Sequence, residues 1–521
     1  MGLSAPPFHT GFLAFIAFIP FFFLFETIKK YKRAFLYSFL TLATFHLSVC
    51  YWLPFTRDVY LSVVAVVALF INPTLYFIPI ALWLFIQRTI GFRRSLLAFP
   101  WIWVSFEYFR STTDLAGPIF TFGYTQAYSL DIIQIASIFG VYGISFWIVA
   151  INIILYLLLS NVITKKWKLY SGPSIATLLS IILIFMVPKL YGQKVLRSSE
   201  FHENHLAQST RIAIVQPNID PFVKWNSPVE PQLKLLQAMT AESCRDSVDM
   251  VVWPETAIPR YIFYSLEDLS FLNQIRCEAD SLRINLFTGT LDLMYFDPSK
   301  PIPKSAKWNS TGQHYDIYNT AILLQPHHEE IQKHAKMILV PFAERFPYAD
   351  QILNVANLNF IRWNFGTGGL GAGTRQTVFS YTSRDSVPVK FSTVICFESL
   401  FPQLVSSFVR KGAQFIVILS NESWWGKTEG SFQHCQMDIF RAIENRRWIV
   451  RCSNGGASCF IDPFGHILQL TPLDVSKIIK CNIQPSDEIT LYTRYGDWFA
   501  GMCIAISLIV ALVAFVYRFK N

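Results

Sequence analysis

The chain has 521 residues, of which 52% are hydrophobic and 15% charged, against about a quarter charged in an ordinary soluble domain. That composition points to a bilayer and excludes disorder, a collagen-like repeat and a small disulfide scaffold. The net charge of +9 is confined: residues 1–191 hold 13 Lys and Arg against 5 Asp and Glu, and the other 330 hold 31 against 30, so the later part lacks the basic stripe of a nucleic-acid binder.

Apolar runs that read as spanning helices fall at 11–27, 34–53, 59–87, 95–109, 132–160 and 171–190, with one more at 499–517. Residues 1–10 lack the basic flank and cleavage pattern of a signal peptide. Asn72-Pro73 breaks the run at 59–87, making it one kinked crossing or two short ones. Loop charge favours one crossing, because only then do the basic clusters at 29–33, 88–94, 165–168 and 518–520 share a side. The expected layout is a helical membrane domain at 1–191 with about six spans, a soluble domain at 205–490 and a membrane helix at 498–518. The N-terminus and the soluble domain then lie on the outer face. Glu107 and Arg110, three apart near a helix end, are placed to pair.

After 191 short β-branched runs alternate with helical stretches. Strands are expected at 211–216, 248–253, 284–291, 318–325, 389–396, 414–420, 447–452 and 457–462, and helices at 231–245, 264–283, 399–411 and 431–446. The alternation predicts one α/β domain. GTGGLG at 366–371 has the spacing of a dinucleotide loop, but no strand precedes it and no helix follows. His327, His328 and His334 lack Cys or carboxylate partners at metal spacing, so neither metal nor cofactor is expected. The nine cysteines include no C-x-x-C pair and indicate no disulfide framework.

Three residues stand where side chains can do chemistry. Glu255 leaves an apolar strand in VVWPETAIP, where partial desolvation raises a carboxylate's proton affinity toward that of a useful base. Cys396 ends another strand in STVICFESL, just ahead of a helix, a position at which a thiol can be held as thiolate. Lys336 in HAKMILVPFAERFP precedes a loop carrying Glu344, and its ammonium suits a developing oxyanion. Taken singly, each also reads as an ordinary core thiol, loop carboxylate or solvated amine.

Taken together and in this order, WPE, a Lys followed eight residues later by the Glu of VPFAE, and ICFE resemble the nitrilase (carbon–nitrogen hydrolase) superfamily. The flanking membrane segments narrow the resemblance to the apolipoprotein N-acyltransferase family. QPNIDPFVKW at 216–225, LSNESWWG at 419–426, RAIENRRWIVRCSNGGAS at 441–458 and YTRYGDWF at 492–499 extend it over nearly the whole chain. The resemblance implies a polytopic α-helical membrane domain plus an α/β nitrilase-like αββα sandwich. It implies Cys396 as nucleophile, Glu255 as general base and Lys336 as oxyanion stabiliser, with Glu344 and Glu398 as supporting carboxylates and Trp225 near the lipid entrance. His334 and Phe397 stand where the family usually has Tyr, and Ala343 where it has Gly. The family typically has one span more than the seven counted.

The implied reaction is ping-pong acyl transfer at the periplasmic face of a bacterial inner membrane. A membrane phospholipid is the donor, a Cys thioester the intermediate, and the α-amine of a diacylglyceryl cysteine on an apolipoprotein the acceptor. Exposing a chain of about 16 methylenes to water costs roughly 13 kcal/mol, which gives an enzyme reason to sit in the membrane. Phe222, Trp424 and Trp425, with Phe360, Trp363 and Phe365, are candidates for apolar arms around the site. The alternative is a membrane-tethered amidase that uses the same triad and water. A transporter or receptor would leave the triad unexplained and calls for broken or polar helices at the membrane centre.

Overall fold

The computed structural model describes the chain except for residues 29, 57, 116, 169, 203–208, 262–265, 304, 349–368 and 521. Two compact units emerge: one of Met1–Pro54, Ser62–Asn204 and Thr490–Asn521, the other of Phe55–Leu61 and His205–Ile489.

In the first unit four helices are long and apolar enough to cross a membrane: Val59–Ile90, Ala136–Ile163, Gly172–Ser198 and Trp498–Lys520. The other apolar runs form shorter or less apolar helices. A 3-10 segment at Gly11–Ile16 leads into Ile19–Thr27, Tyr31–Val49 mixes Lys32, Arg33, Ser38, Thr41, Thr44, His46 and Ser48 with its apolar residues, and Phe99–Ser111 has 13 residues, where a full span needs about 20. At Pro73 the helix loses one N–H donor. Tyr76 nevertheless keeps helical torsions (φ −70°, ψ −8°) and accepts from Ile80 N at 3.1 Å. Residues 59–90 are therefore one helix bent at a proline, not a hairpin.

The basic clusters gather at one end of this unit. Arg88 lies over the Tyr31 ring at 3.8 Å, Arg93 donates to Asn161 Oδ1 at 2.7 Å, and Arg518 lies over Phe85 at 5.6 Å. The opposite end is tied by Gln126 Nε2 to Gly11 O at 2.9 Å, Tyr142 OH to Ser111 Oγ at 2.9 Å and Trp498 Nε1 to Ile138 O at 2.9 Å. There Gly140 (φ +66°) breaks the helix that begins at Ala136, and an added Cβ would lie 2.5 Å from the Tyr492 ring. Glu107 and Arg110 are both buried but turn to different partners. Glu107 accepts from Trp103 Nε1 (2.8 Å) and Phe122 N (2.9 Å), while Arg110 donates to Tyr76 OH (2.8 Å), Asn72 Oδ1 (3.2 Å) and Gly117 O (3.3 Å). Away from water each charge needs several hydrogen bonds, which a single i,i+3 contact does not supply.

The second unit is built on strands β1 Thr210–Gln216, β2 Met250–Val252, β3 Ile258–Tyr261, β4 Asn285–Tyr295, β5 Lys307–Trp308, β6 His314–Leu324, β7 Gln332–Ala335, β8 Phe379–Thr382, β9 Pro388–Ile395, β10 Phe415–Ser420, β11 Ile449–Ser453, β12 Cys459–Ile461, β13 Ile467–Leu468 and β14 Lys477–Ile483. One sheet runs β14-β1-β2-β4-β6-β5, with β3 paired to β4 and β7 to β6; the other runs β13-β12-β11-β10-β9-β8. Alternation along each strand separates two cores. Ile212 and Ile214 of β1 face Val417 and Leu419 of β10 and Val450 of β11 between the sheets. Ala213 and Val215 face outward, onto Leu233 and Leu236 of the helix Val229–Ser243 and Ile275 of Leu266–Leu282. On the far side, helices Pro402–Arg410 and Gly430–Asn445 pack against each other and on β9 and β11. The result is the four-layer αββα sandwich. The expected strands are β1, β2, β4, β6, β9, β10, β11 and β12. The six that periodicity missed are short or edge strands such as KIIKCNI of β14, in which Lys interrupts the apolar pattern.

Candidate active site

β1, β2 and β4 run parallel, as do β9, β10 and β11, so the carboxyl ends of β2 and β9 open toward crevices where α/β sheets commonly bind ligands. Glu255 lies three residues beyond β2. Its turn is anchored by Trp253, whose N donates to Phe287 O at 2.8 Å and whose Nε1 donates to Thr240 Oγ1 at 2.9 Å. Thr256 is left-handed (φ +45°). The turn lies so close to β4 that a Cβ on Gly289 would stand 2.5 Å from Thr256 N and 2.9 Å from Glu255 Cα; only glycine fits there.

Lys336 follows β7 and is fully buried. Its backbone is held on both sides, N to Asn319 O at 2.8 Å and O from Gly373 N at 2.7 Å. Its Nζ donates to Glu344 Oε1 at 2.9 Å and Glu255 Oε1 at 3.3 Å. Asn319 Nδ2 bridges the same two oxygens, at 2.7 Å to Glu255 and 3.3 Å to Glu344. Glu344 Oε2 accepts from Val340 N at 2.8 Å, which closes the loop after Lys336.

Cys396 follows β9 directly, opening the 3-10 turn Cys396–Leu400 with φ +53°. A non-glycine residue in that conformation is strained and persists only where its surroundings hold it. Glu398, wholly buried, does so: Oε2 accepts from Ile395 N at 2.7 Å, and Oε1 from Met337 N at 2.6 Å and Ile338 N at 3.0 Å. One carboxylate therefore joins the cysteine turn to the segment after Lys336. On the other side Ser399 Oγ meets His434 Nε2 at 2.8 Å, and His434 Nδ1 meets Glu422 Oε1 at 2.7 Å. Glu422 is also bonded by Arg451, which reaches Asp438 as well.

Burial dominates the electrostatics. It pushes the Cys396 thiol up to about 12, with Glu255 pushing the same way and Lys336 opposing. Strand-end placement favours a thiolate, whereas burial in the folded chain favours the protonated thiol. Burial pulls on the Lys336 ammonium, but Glu344 and Glu255 outweigh it and hold the amine above its ordinary value. Glu398 is raised to about 7 by burial despite its three N–H donors. Glu422 is driven the other way, to about 2, because Arg451 and His434 overcome its burial.

Glu255, Lys336, Glu344, Cys396 and Glu398 thus converge in one cluster, in which Glu255, Lys336 and Glu398 are buried and Glu344 and Cys396 partly so. Trp225 sits apart as a 43% exposed side chain, and Phe222 stacks edge-on with Trp424 at 5.1 Å. Phe360, Trp363, Phe365 and part of the 366–371 loop lie outside the described residues. Among the departures from the family pattern, His334 is buried against Phe408 at 5.3 Å and kept neutral, pulled down to about 4 by burial, and Phe397 packs on Phe401 at 5.1 Å. Sequence reasoning missed Asn319, Lys224 and the Glu422–His434 pair. A signal existed for Asn319, an amide opening the apolar run TAILL, and for Glu422, a carboxylate inside LSNESWWG.

The apolipoprotein N-acyltransferase N-terminal domain family matches residues 1–154, and the carbon-nitrogen hydrolase family matches 211–491. An apolipoprotein N-acyltransferase of Chlorobaculum tepidum is 32% identical over 99% of this chain and 95% of its own length; one of Geobacter metallireducens is 29% identical over 99% and 93%. A Saccharomyces cerevisiae member of branch 10 of the nitrilase superfamily aligns with a TM-score of 0.38 at 20% identity, over 54% of this chain and 92% of that one. With a carbon–nitrogen hydrolase domain over more than half its length and such a relative end to end, the chain belongs to the apolipoprotein N-acyltransferase family.

Proposed function

We propose that this acyltransferase moves an acyl chain from a membrane phospholipid, through a thioester on Cys396, to the α-amine of an N-terminal diacylglyceryl cysteine. The observation that carries the reading is the convergence of thiol, carboxylate and ammonium from three separate strand ends. Glu255 takes the thiol proton as Cys396 attacks the ester carbonyl. Lys336 stabilises the tetrahedral oxyanion. On collapse the C–O bond breaks, Glu255 returns its proton to the leaving alkoxide, and lysophospholipid departs. The acceptor amine then attacks the thioester, Glu255 takes the proton from nitrogen, and the thiolate leaves and is reprotonated. Oε1 of Glu255 is occupied by Asn319 and Lys336, which leaves Oε2 for proton transfer.

Purified protein incubated with acyl-labelled phospholipid should carry a hydroxylamine-sensitive label. A chase with a diacylglyceryl-cysteine peptide should move that label to the peptide's α-amine. Label appearing only as free fatty acid would mean that water is the acceptor, as in an amidase, and would overturn the assignment.

The gathering of basic clusters at one end of the helical unit supports a cytoplasmic placement of that end, and hence an N-terminus and catalytic unit on the periplasmic face of the inner membrane. Single cysteines replacing exposed Phe8, Lys166 and Lys300 test this in a background stripped of other accessible thiols. An impermeant maleimide should reach positions 8 and 300 in intact spheroplasts, and position 166 only after lysis. Labelling at 300 without labelling at 8 means an odd number of crossings and overturns the charge map while leaving acyl transfer standing.

A further inference from the structure

In the QPNIDPFVKW segment Lys224 turns inward between two exposed neighbours: Val223 is 52% and Trp225 43% exposed, yet Lys224 is 2% exposed. It ends the short helix Pro221–Lys224, whose start is capped by Asp220 Oδ1 accepting from Phe222 N at 2.8 Å. Its ammonium donates to Glu255 O at 3.2 Å and to Thr256 Oγ1 at 2.9 Å. Those two acceptors flank the left-handed Thr256 junction, the strained point of the turn that carries Glu255. The backbone of Lys224 is fastened in turn, its carbonyl accepting from Gln232 Nε2 at 3.0 Å.

A buried ammonium given only neutral acceptors is costly, and a Met of the same length would fill the space without that cost. What the ammonium gains is a pair of charge-assisted bonds on a turn whose torsions nothing local favours. Burial pulls the amine down to about 7 against the upward pull of the Glu255 charge, and in either protonation state the nitrogen keeps the N–H donors for both bonds. Trp225 is covalently next to it, with the ring centroid 5.7 Å from Nζ.

We infer that Lys224 is a positioning residue for acyl transfer: its ammonium locks the turn that aims Glu255, and so ties the segment bearing Phe222 and Trp225 to the catalytic base. The inference rests on Glu255 being that base. Lys224→Met should slow thioester formation at saturating phospholipid by about 10- to 100-fold, the scale of losing hydrogen bonds from a charged group, with donor KM within about twofold. Because Lys224 acts through Glu255, the double variant Lys224→Met/Glu255→Gln should be no slower than Glu255→Gln alone.

The measurement is the rate of hydroxylamine-sensitive labelling from acyl-labelled phospholipid by the full-length protein. Wild-type speed in Lys224→Met, or losses that multiply in the double variant, overturns the inference. Full activity in Glu255→Gln would instead overturn the reading on which it rests, and the two failures are thereby distinct. Should Lys224→Met not fold, Thr256→Ala removes one of the two acceptors alone. A drop of about three- to tenfold at unchanged KM supports the inference, and an unchanged rate overturns it.

Discussion

Cys396→Ser is expected to abolish the acyl adduct, leaving less than about 10⁻³ of the wild-type rate, while Cys435→Ser, Cys452→Ser and Cys459→Ser retain it. All four cysteines are free thiols, so free chemistry does not distinguish them; placement does. Cys452 is sealed between strands, its Sγ 3.5 Å from Val215 O and 3.4 Å from Val252 O, and Cys435 and Cys459 are buried against each other at 3.4 Å. Cys396 alone among the four opens a strained turn at a strand end with Glu255 and Lys336 acting on its charge. Its thiol is held up to about 12, so attack depends on handing the proton to a neighbouring base as the bond forms. A serine hydroxyl, less acidic still and less nucleophilic, loses on both counts. Measuring the hydroxylamine-sensitive label in the four variants decides it: an adduct persisting in Cys396→Ser removes the nucleophile assignment.

Lys336→Met is expected to lower thioester formation by roughly 10²-fold or more, the scale of a lost oxyanion donor. The same variant should also lower stability, by about 3–5 kcal/mol as when one partner of a buried ion pair is removed. The second effect is not visible from the residue's place in HAKMILVP, where an amine reads as solvated. It follows from the structure, in which the buried Lys336 is the cation between the Glu344 and Glu255 carboxylates at 2.9 and 3.3 Å. The two effects can be separated. Adding Glu344→Gln to Lys336→Met removes one of the stranded charges and should recover part of the thermal midpoint, yet leave labelling as slow as before. Recovery of activity along with stability would mean that Lys336 serves only to balance charge. Lys336→Arg should rescue poorly, because a planar fork does not replace a compact ammonium between two oxygens.

The class of chemistry and most of the frame are legible in the amino-acid sequence. Apolar run length and loop charge separate a helical membrane part from an α/β part, since both follow from local composition that no later packing changes. The interior strands are equally legible, because strands buried on both faces must be continuous apolar runs such as FIVILS. The triad residues come from short motifs that the family resemblance ties together, although they are 81 and 60 residues apart, as the spacing of 255, 336 and 396 requires.

How those residues are held is legible only in three dimensions. That the Cys396 thiol is protonated rather than ionised depends on burial and on a carboxylate brought from another sheet, neither of which adjoins it in sequence. Asn319 is an ordinary strand residue until β6 lays its amide across Glu255 and Glu344. Lys224 reads as a surface lysine until the Glu255 turn folds over it. The edge strands are short or carry polar residues between their core positions: Phe379 and Tyr381 of β8, and Ile479 and Ile483 of β14, reach the inter-sheet core only once the neighbouring strand fixes their register. Even the bend at 59–90 is settled by whether Tyr76 keeps its helical torsions, not by the Asn72-Pro73 pair itself. For the thiol, Asn319 and Lys224 the deciding energy is a long-range one, desolvation or a hydrogen bond between segments distant in sequence, and local composition carries no record of it.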